Sequence, residues 1–128
     1  MRVLLDTHAF LWFILDDPRL SRSADAIIVD PANVKLVSPA SWWEIAIKMS
    51  TGKYVLAVPH DVFFDTAIAA NGFQVLGIEP RHTAALIGLP KPHKDPFDRM
   101  LVAQAVSEAI PLVSADPALD AYPVRRLW

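Results

Sequence analysis

The sequence predicts an α/β fold, with a central, mostly parallel sheet and helices on both faces. Three observations carry this. Short runs such as Val3–Leu5, Val34–Val37 and Pro111–Ser114 are nearly unbroken in apolar residues, as strands buried on both sides are. Stretches with helical spacing and helix punctuation lie between those runs, and alternation of this kind makes parallel strands joined by crossovers. Finally, 53% of the 128 residues are hydrophobic, enough for the core of one domain.

The elements follow in order. Val3–Leu5 is the first strand, and Ala9–Leu15 reads as a helix ended by Asp16-Asp17-Pro18. Ser21 caps a second helix that runs to about Val29. Val34–Val37 is the second strand, followed by a helix from Pro39 to Ser50 with Gly52 as its stop. Pro59 or His60 opens a helix that Asn71-Gly72 closes, and Phe73–Leu76 is a third strand candidate. His82–Ile87 is a short helix and Pro96–Ala109 a long one. Pro111–Ser114 and Val124–Leu127 are the last strands. The expected organisation is a single domain over residues 1–128, without a regulatory segment beyond the fold.

Composition removes several classes of function. The absence of cysteine excludes a disulfide scaffold, a zinc–thiolate site, an iron–sulfur cluster and a thiol nucleophile. The longest apolar run is Ala9–Leu15, far short of the roughly 20 residues of a membrane span. Asp6 interrupts any secretory core, so a soluble, cytoplasmic protein is expected. The net charge of −2 leaves nucleic acid open as a partner, because an enzyme that holds cations with carboxylates carries its positive charge as metal.

Ligands of open α/β sheets bind outside the carboxyl ends of the strands. Four acids fall there: Asp6 after the first strand, Glu44 in the helix after the second, Asp98 in the first turn of the long helix, and Asp116 after Leu112–Ser114. Each also has an ordinary structural role open to it. Asp6 and Asp116 are at N-cap positions, Asp116 with Pro117 behind it. Glu44 stands three residues after Ser41, a capping-box spacing, and four before Lys48, an ion-pair spacing. Asp98 favours a helix dipole.

The combination points further. Ser41, Glu44 and Lys48 form one polar stripe on a helix otherwise made of Trp42, Trp43, Ile45, Ala46, Ile47 and Met49. Asp95 already caps the long helix, so Asp98 is not needed for that task. Four converging carboxylates repel one another unless cations lie between them. Hard oxygen donors without thiolates select Mg²⁺ or Mn²⁺. The chemistry such a site supports is attack of metal-activated water on a phosphodiester.

Four blocks of sequence also resemble a known family. They are Leu4–Trp12 (LLDTHAFLW), Ser41–Lys48 (SWWEIAIK), His93–Ala105 (HKDPFDRMLVAQA) and Leu112–Asp116 (LVSAD). Their order and content resemble the PIN-domain ribonucleases over essentially the whole chain, and among them the VapC-type toxins of toxin–antitoxin modules. The resemblance implies a PIN-like fold and RNA cleavage with one or two Mg²⁺ or Mn²⁺ ions. It carries catalytic and metal-binding roles onto Asp6, Glu44, Asp98 and Asp116. Ser114 stands where many members have Thr, and its hydroxyl is expected to position metal or water. The resemblance also implies a homodimer and a VapB-like antitoxin partner that restrains the enzyme.

Other residues are weighed beside these. His8 and His93 flank two of the acids and are expected to orient loops rather than bind phosphate or move protons. Arg99 has two readings of equal weight, a contact to RNA phosphate or a pair with an acid. Lys48 is expected to pair with Glu44. Arg81, His82, Lys91, Lys94, Arg125 and Arg126 are candidates for RNA backbone contacts, or simply a solvated face. Trp42 and Trp43 point about 100° apart on a helix, so at least one is expected to meet a partner.

Other functions compete. A receiver domain needs an acidic pair after the first strand, but Asp6 stands alone before Thr7-His8. A haloacid-type phosphatase needs Asp-x-Asp, which His8 breaks. Within the PIN-like class, a non-toxin RNA-processing nuclease and a catalytically silent RNA-binding module remain the alternatives.

Overall fold

Among the described residues five strands, all parallel, form the sheet, so the expectation of a mostly parallel sheet is met. The computed structural model describes residues 1–90 and 95–128. Lys91, Pro92, His93 and Lys94, with the roles expected of them, lie outside the described residues.

The chain runs β1 (Arg2–Leu5), α1 (Thr7–Ile14), α2 (Arg22–Val29), β2 (Val34–Val37), α3 (Pro39–Ser50), α4 (His60–Ala70), β3 (Gln74–Val75), α5 (Pro80–Ile87), α6 (Pro96–Glu108), β4 (Leu112–Val113), a 3₁₀ turn at Pro117–Ala121, and β5 (Arg126–Leu127). The order across the sheet is β3-β2-β1-β4-β5. The first three strands are laid down in one direction and β4 is placed on the other side of β1. The direction of winding therefore switches between β1 and β4, where such sheets open a crevice at their carboxyl ends.

Local chemistry sets the element bounds. Helix α1 starts at Thr7 rather than Ala9, because the Asp6 carboxylate accepts a hydrogen bond from the Ala9 N–H at 2.8 Å. Ser21 caps α2 as expected, and Ser38, not Ser41, caps α3. Helix α5 begins two residues earlier than its sequence suggests. There Glu79 and His82 close a capping box around Pro80. Asp95 caps α6 through the N–H groups of Phe97 and Asp98, and α6 ends at Ala109 in the left-handed region at φ 54°. Gly52 and Gly72, just beyond α3 and α4, take φ values of 73° and 66° that suit glycine.

Alternation along the strands divides the core. Val3 and Leu5 of β1 face a cluster with Phe10, Leu11, Ile28, Phe64 and Phe73. Leu4, between them, faces the opposite cluster with Leu36, Leu101, Val102, Leu112 and Leu119. Helices α1, α2 and α4 thus cover one face, and α5 and α6 cover the other. Among the described residues no helix is long and apolar enough to cross a membrane.

Candidate metal and nuclease site

Four segments end or begin at the carboxyl edge of the sheet. Asp6 follows β1, α3 begins after β2, α6 begins before its antiparallel descent into β4, and Ser114–Asp116 follow β4. The four acids therefore share one edge, and two of them stand at the switch between β1 and β4.

Asp6 is 6% exposed and Glu44 is 4% exposed, unusual burial for carboxylates. Burial is the main reason the Asp6 carboxyl is pushed above the usual aspartate range. The charge of Glu44 adds to that rise, while the Ser114 hydroxyl, the Ala9 N–H and His8 oppose it. The two carboxylates are thus close enough to repel.

Helix α3 brings Glu44 into place. Ser41 and Glu44 of its polar stripe are buried, and the Thr7 hydroxyl of α1 donates to the Ser41 hydroxyl at 3.1 Å. That contact corrects the capping-box reading of Ser41, which lies inside the helix and is fully enclosed. Lys48 donates to Glu44 Oε2 at 2.8 Å, the pairing expected from the spacing. Glu44 Oε1 is buried and accepts no hydrogen bond from any described residue. A buried anionic oxygen without a donor costs free energy that a cation in contact with it would offset.

Ser114 links the strands. It is completely buried, its hydroxyl helps hold the Asp6 carboxyl pKa down, and its oxygen accepts from the Asp116 N–H at 3.1 Å. Its carbonyl accepts from Arg126 Nη1 at 3.1 Å. Asp116 is half-buried and caps the 3₁₀ turn through the Ala118 N–H at 2.9 Å. Asp98, also half-buried, is the third residue of α6. Among the described residues, no three acidic or histidine side chains stand close enough together to hold an ion between them. The structure brings Asp6, Glu44 and Ser114 together, and it places Asp98 and Asp116 on the same edge without closing a ligand cluster. One oxygen each of Asp6 and Asp116 is committed to a helix N-terminus, and Lys48 holds one of Glu44.

Other candidates lie elsewhere. Arg99 donates to the carbonyls of Pro90 at 2.6 Å and Leu86 at 3.5 Å and to the Tyr122 hydroxyl at 3.4 Å. It ties the end of α5 to α6. His82 is wholly buried between Glu79 and Glu108, so it is no surface contact for RNA. Arg81 pairs with Glu79 and Glu108, and Arg126 grips Asp120 with two bonds. Arg125 is exposed. Trp42 packs on Phe64, whereas Trp43 is 60% exposed with its ring edge-to-face on Phe97 at 5.2 Å. Thr7 was missed, although its place directly after Asp6 marked it as a neighbour of the site.

The PIN domain family model matches residues 3–124. The chain is similar to Ribonuclease VapC22 of Mycobacterium tuberculosis, with 31% identity over 121 residues, 94% of this chain and 91% of that protein. In fold it is similar to VapBC2 from Rickettsia felis bound to a promoter DNA fragment, with a TM-score of 0.74, 14% identity, and coverage of 99% of this chain and 98% of that one. It is also similar to VapBC-1 from nontypeable Haemophilus influenzae, with a TM-score of 0.63, 14% identity, and coverage of 99% and 97%.

Proposed function

The chain belongs to the PIN-domain family, and on that premise we propose that it is a VapC-type endoribonuclease toxin whose buried carboxylates hold a divalent cation. Asp6 and Glu44 are the first ligands in this reading, with Asp98 and Asp116 completing the set from the same sheet edge. The observation that carries it is Glu44 Oε1, a buried carboxylate oxygen without a donor beside a second buried carboxylate. Mg²⁺ or Mn²⁺ suits donors that are all oxygen. When bound, the ion lowers the pKa of water toward neutrality and offsets charge on a phosphodiester.

The chain's own residues do the rest. The Ala9 N–H holds one oxygen of the Asp6 carboxylate, so that it loses less side-chain freedom when it meets a ligand, and the Ser114 hydroxyl favours its charged form. Lys48 holds Glu44 by one oxygen and leaves the other buried without a donor among the described residues. Arg126 holds the Ser114 carbonyl and so steadies the strand end that carries the hydroxyl.

The partner follows from the same edge. A groove of about 270 Å³ runs beside the site, lined by Glu44, Ile47, Lys48, Asp95 and Phe97. Trp43 and Ile47 are exposed on the same helix. A VapB-like antitoxin that lays a helix over this surface covers both the aromatic ring and the acids. A homodimer is the assembly expected to cover Val55, Val58 and Val62 before and along α4, which are 82%, 43% and 49% exposed.

The test is cleavage of a mixed RNA pool by the purified chain. Mn²⁺ or Mg²⁺ should support cleavage, EDTA should stop it, and Asp6→Asn and Glu44→Gln should each lower it at least a hundredfold. Unchanged cleavage in EDTA removes the cation from the mechanism.

A further inference from the structure

His8 is the second residue of α1, two positions beyond Asp6, and it is exposed. Its ring lies against Trp12 with centroids 5.6 Å apart and planes 33° apart. Trp12 is itself fixed. The Arg19 guanidinium sits 4.9 Å over its ring, and Trp128 meets it edge-on at 5.9 Å. Arg19 is held in turn by both oxygens of Asp17, at 3.1 and 2.8 Å, so its charge is already answered within the chain. The result is a row of half-buried rings in tilted and edge-on contact that ends, at His8, in solvent beside the acid pair.

We infer that the outer face of His8, backed by Trp12, is a stacking shelf for an unpaired RNA base next to the cleaved bond. This rests on the ribonuclease reading and adds to it a means of positioning substrate. Flat rings at the edge of a phosphodiester site suit a base, because every base offers a π-face and sequence-reading proteins hold unpaired bases in this way. The rigid backing matters, because a ring already ordered loses little freedom when a base is laid on it.

Cleavage of a short single-stranded RNA, chosen from those the chain cuts in a mixed pool with Mn²⁺, tests the inference. His8→Ala should lower kcat/KM by about tenfold or more, the loss expected for one base–aromatic stack. His8→Phe, which keeps a ring and loses both nitrogens, should stay near the unmodified protein. An abasic nucleotide at the position next to the cut should slow the unmodified protein by a similar factor and the His8→Ala protein no further. The inference is overturned if His8→Ala cleaves normally, if His8→Phe is as weak as His8→Ala, or if the abasic and His8→Ala losses multiply. It is also overturned if His8→Ala loses only capture by the antitoxin, which would make the shelf a protein contact. Should the unmodified chain leave the whole pool intact in Mn²⁺, the ribonuclease reading itself fails, an outcome distinct from the others.

Discussion

Asp6 is a helix cap and a buried anion at once, and substitution separates the two tasks. Asparagine caps a helix as well as aspartate does, whereas alanine does not. Asp6→Asn should therefore leave the metal-free protein as stable as before, or more so, since a repelled and desolvated charge is gone. Asp6→Ala should be about 1 kcal/mol less stable than Asp6→Asn. Urea denaturation in EDTA checks both, and unfolding of Asp6→Asn under mild conditions would show the carboxylate to be needed for structure alone. The four acids were legible as residues at strand ends and helix starts. The burial of Asp6 and Glu44 was not, because it comes with the packing of α1 on α3, where Thr7 meets Ser41, a residue distant in sequence. His82 was misread for the same reason. Its partner Glu108 is 26 residues away and leaves no local mark beside it.

Helices α5 and α6 are joined by one carboxylate. Glu108, near the end of α6, accepts from His82 and Arg81 of α5 and from Arg2 of β1. The His82 hydrogen bond first, then that of Arg81, hold the Glu108 carboxyl down at about 2, below its ordinary 4.5. A depressed acid contributes stability above its unfolded pKa and loses it as pH falls toward the folded value. This contribution should be complete at neutral pH and should fade between about pH 4.5 and 2. Glu108→Gln should lower the urea midpoint at pH 7 and bring it closer to that of the unmodified protein at pH 3. Equal midpoints at pH 7 would show the cluster to be energetically idle. At this scale the sequence was informative wherever a cap is local. Ser21, Pro39, Asn71-Gly72 and Asp95 mark bounds that the structure keeps within a residue. It was less so at α1 and α5, whose first residues are set by side chains that also serve other contacts.

The whole molecule is a parallel sheet wound outward from β1 in two directions, and that winding brings distant acids to one edge. Parallel strands and helical crossovers were readable from apolar runs and punctuation. The strand order was not, since β3, β4 and β5 are two residues long and carry too little pattern to name their neighbours. As a toxin, the chain expressed alone should arrest growth, and co-expression of its antitoxin should relieve the arrest. Asp6→Asn should be harmless without any partner. Harmless strong expression of a soluble chain that cleaves RNA in vitro would instead favour an RNA-processing role. The central claim is that Asp6 and Glu44 hold a divalent cation, and calorimetric titration of Mn²⁺ into the purified chain tests it most directly. The account predicts saturable binding by the unmodified protein, with a loss of at least tenfold in affinity in both Asp6→Asn and Glu44→Gln. Binding of equal strength in all three proteins would contradict it.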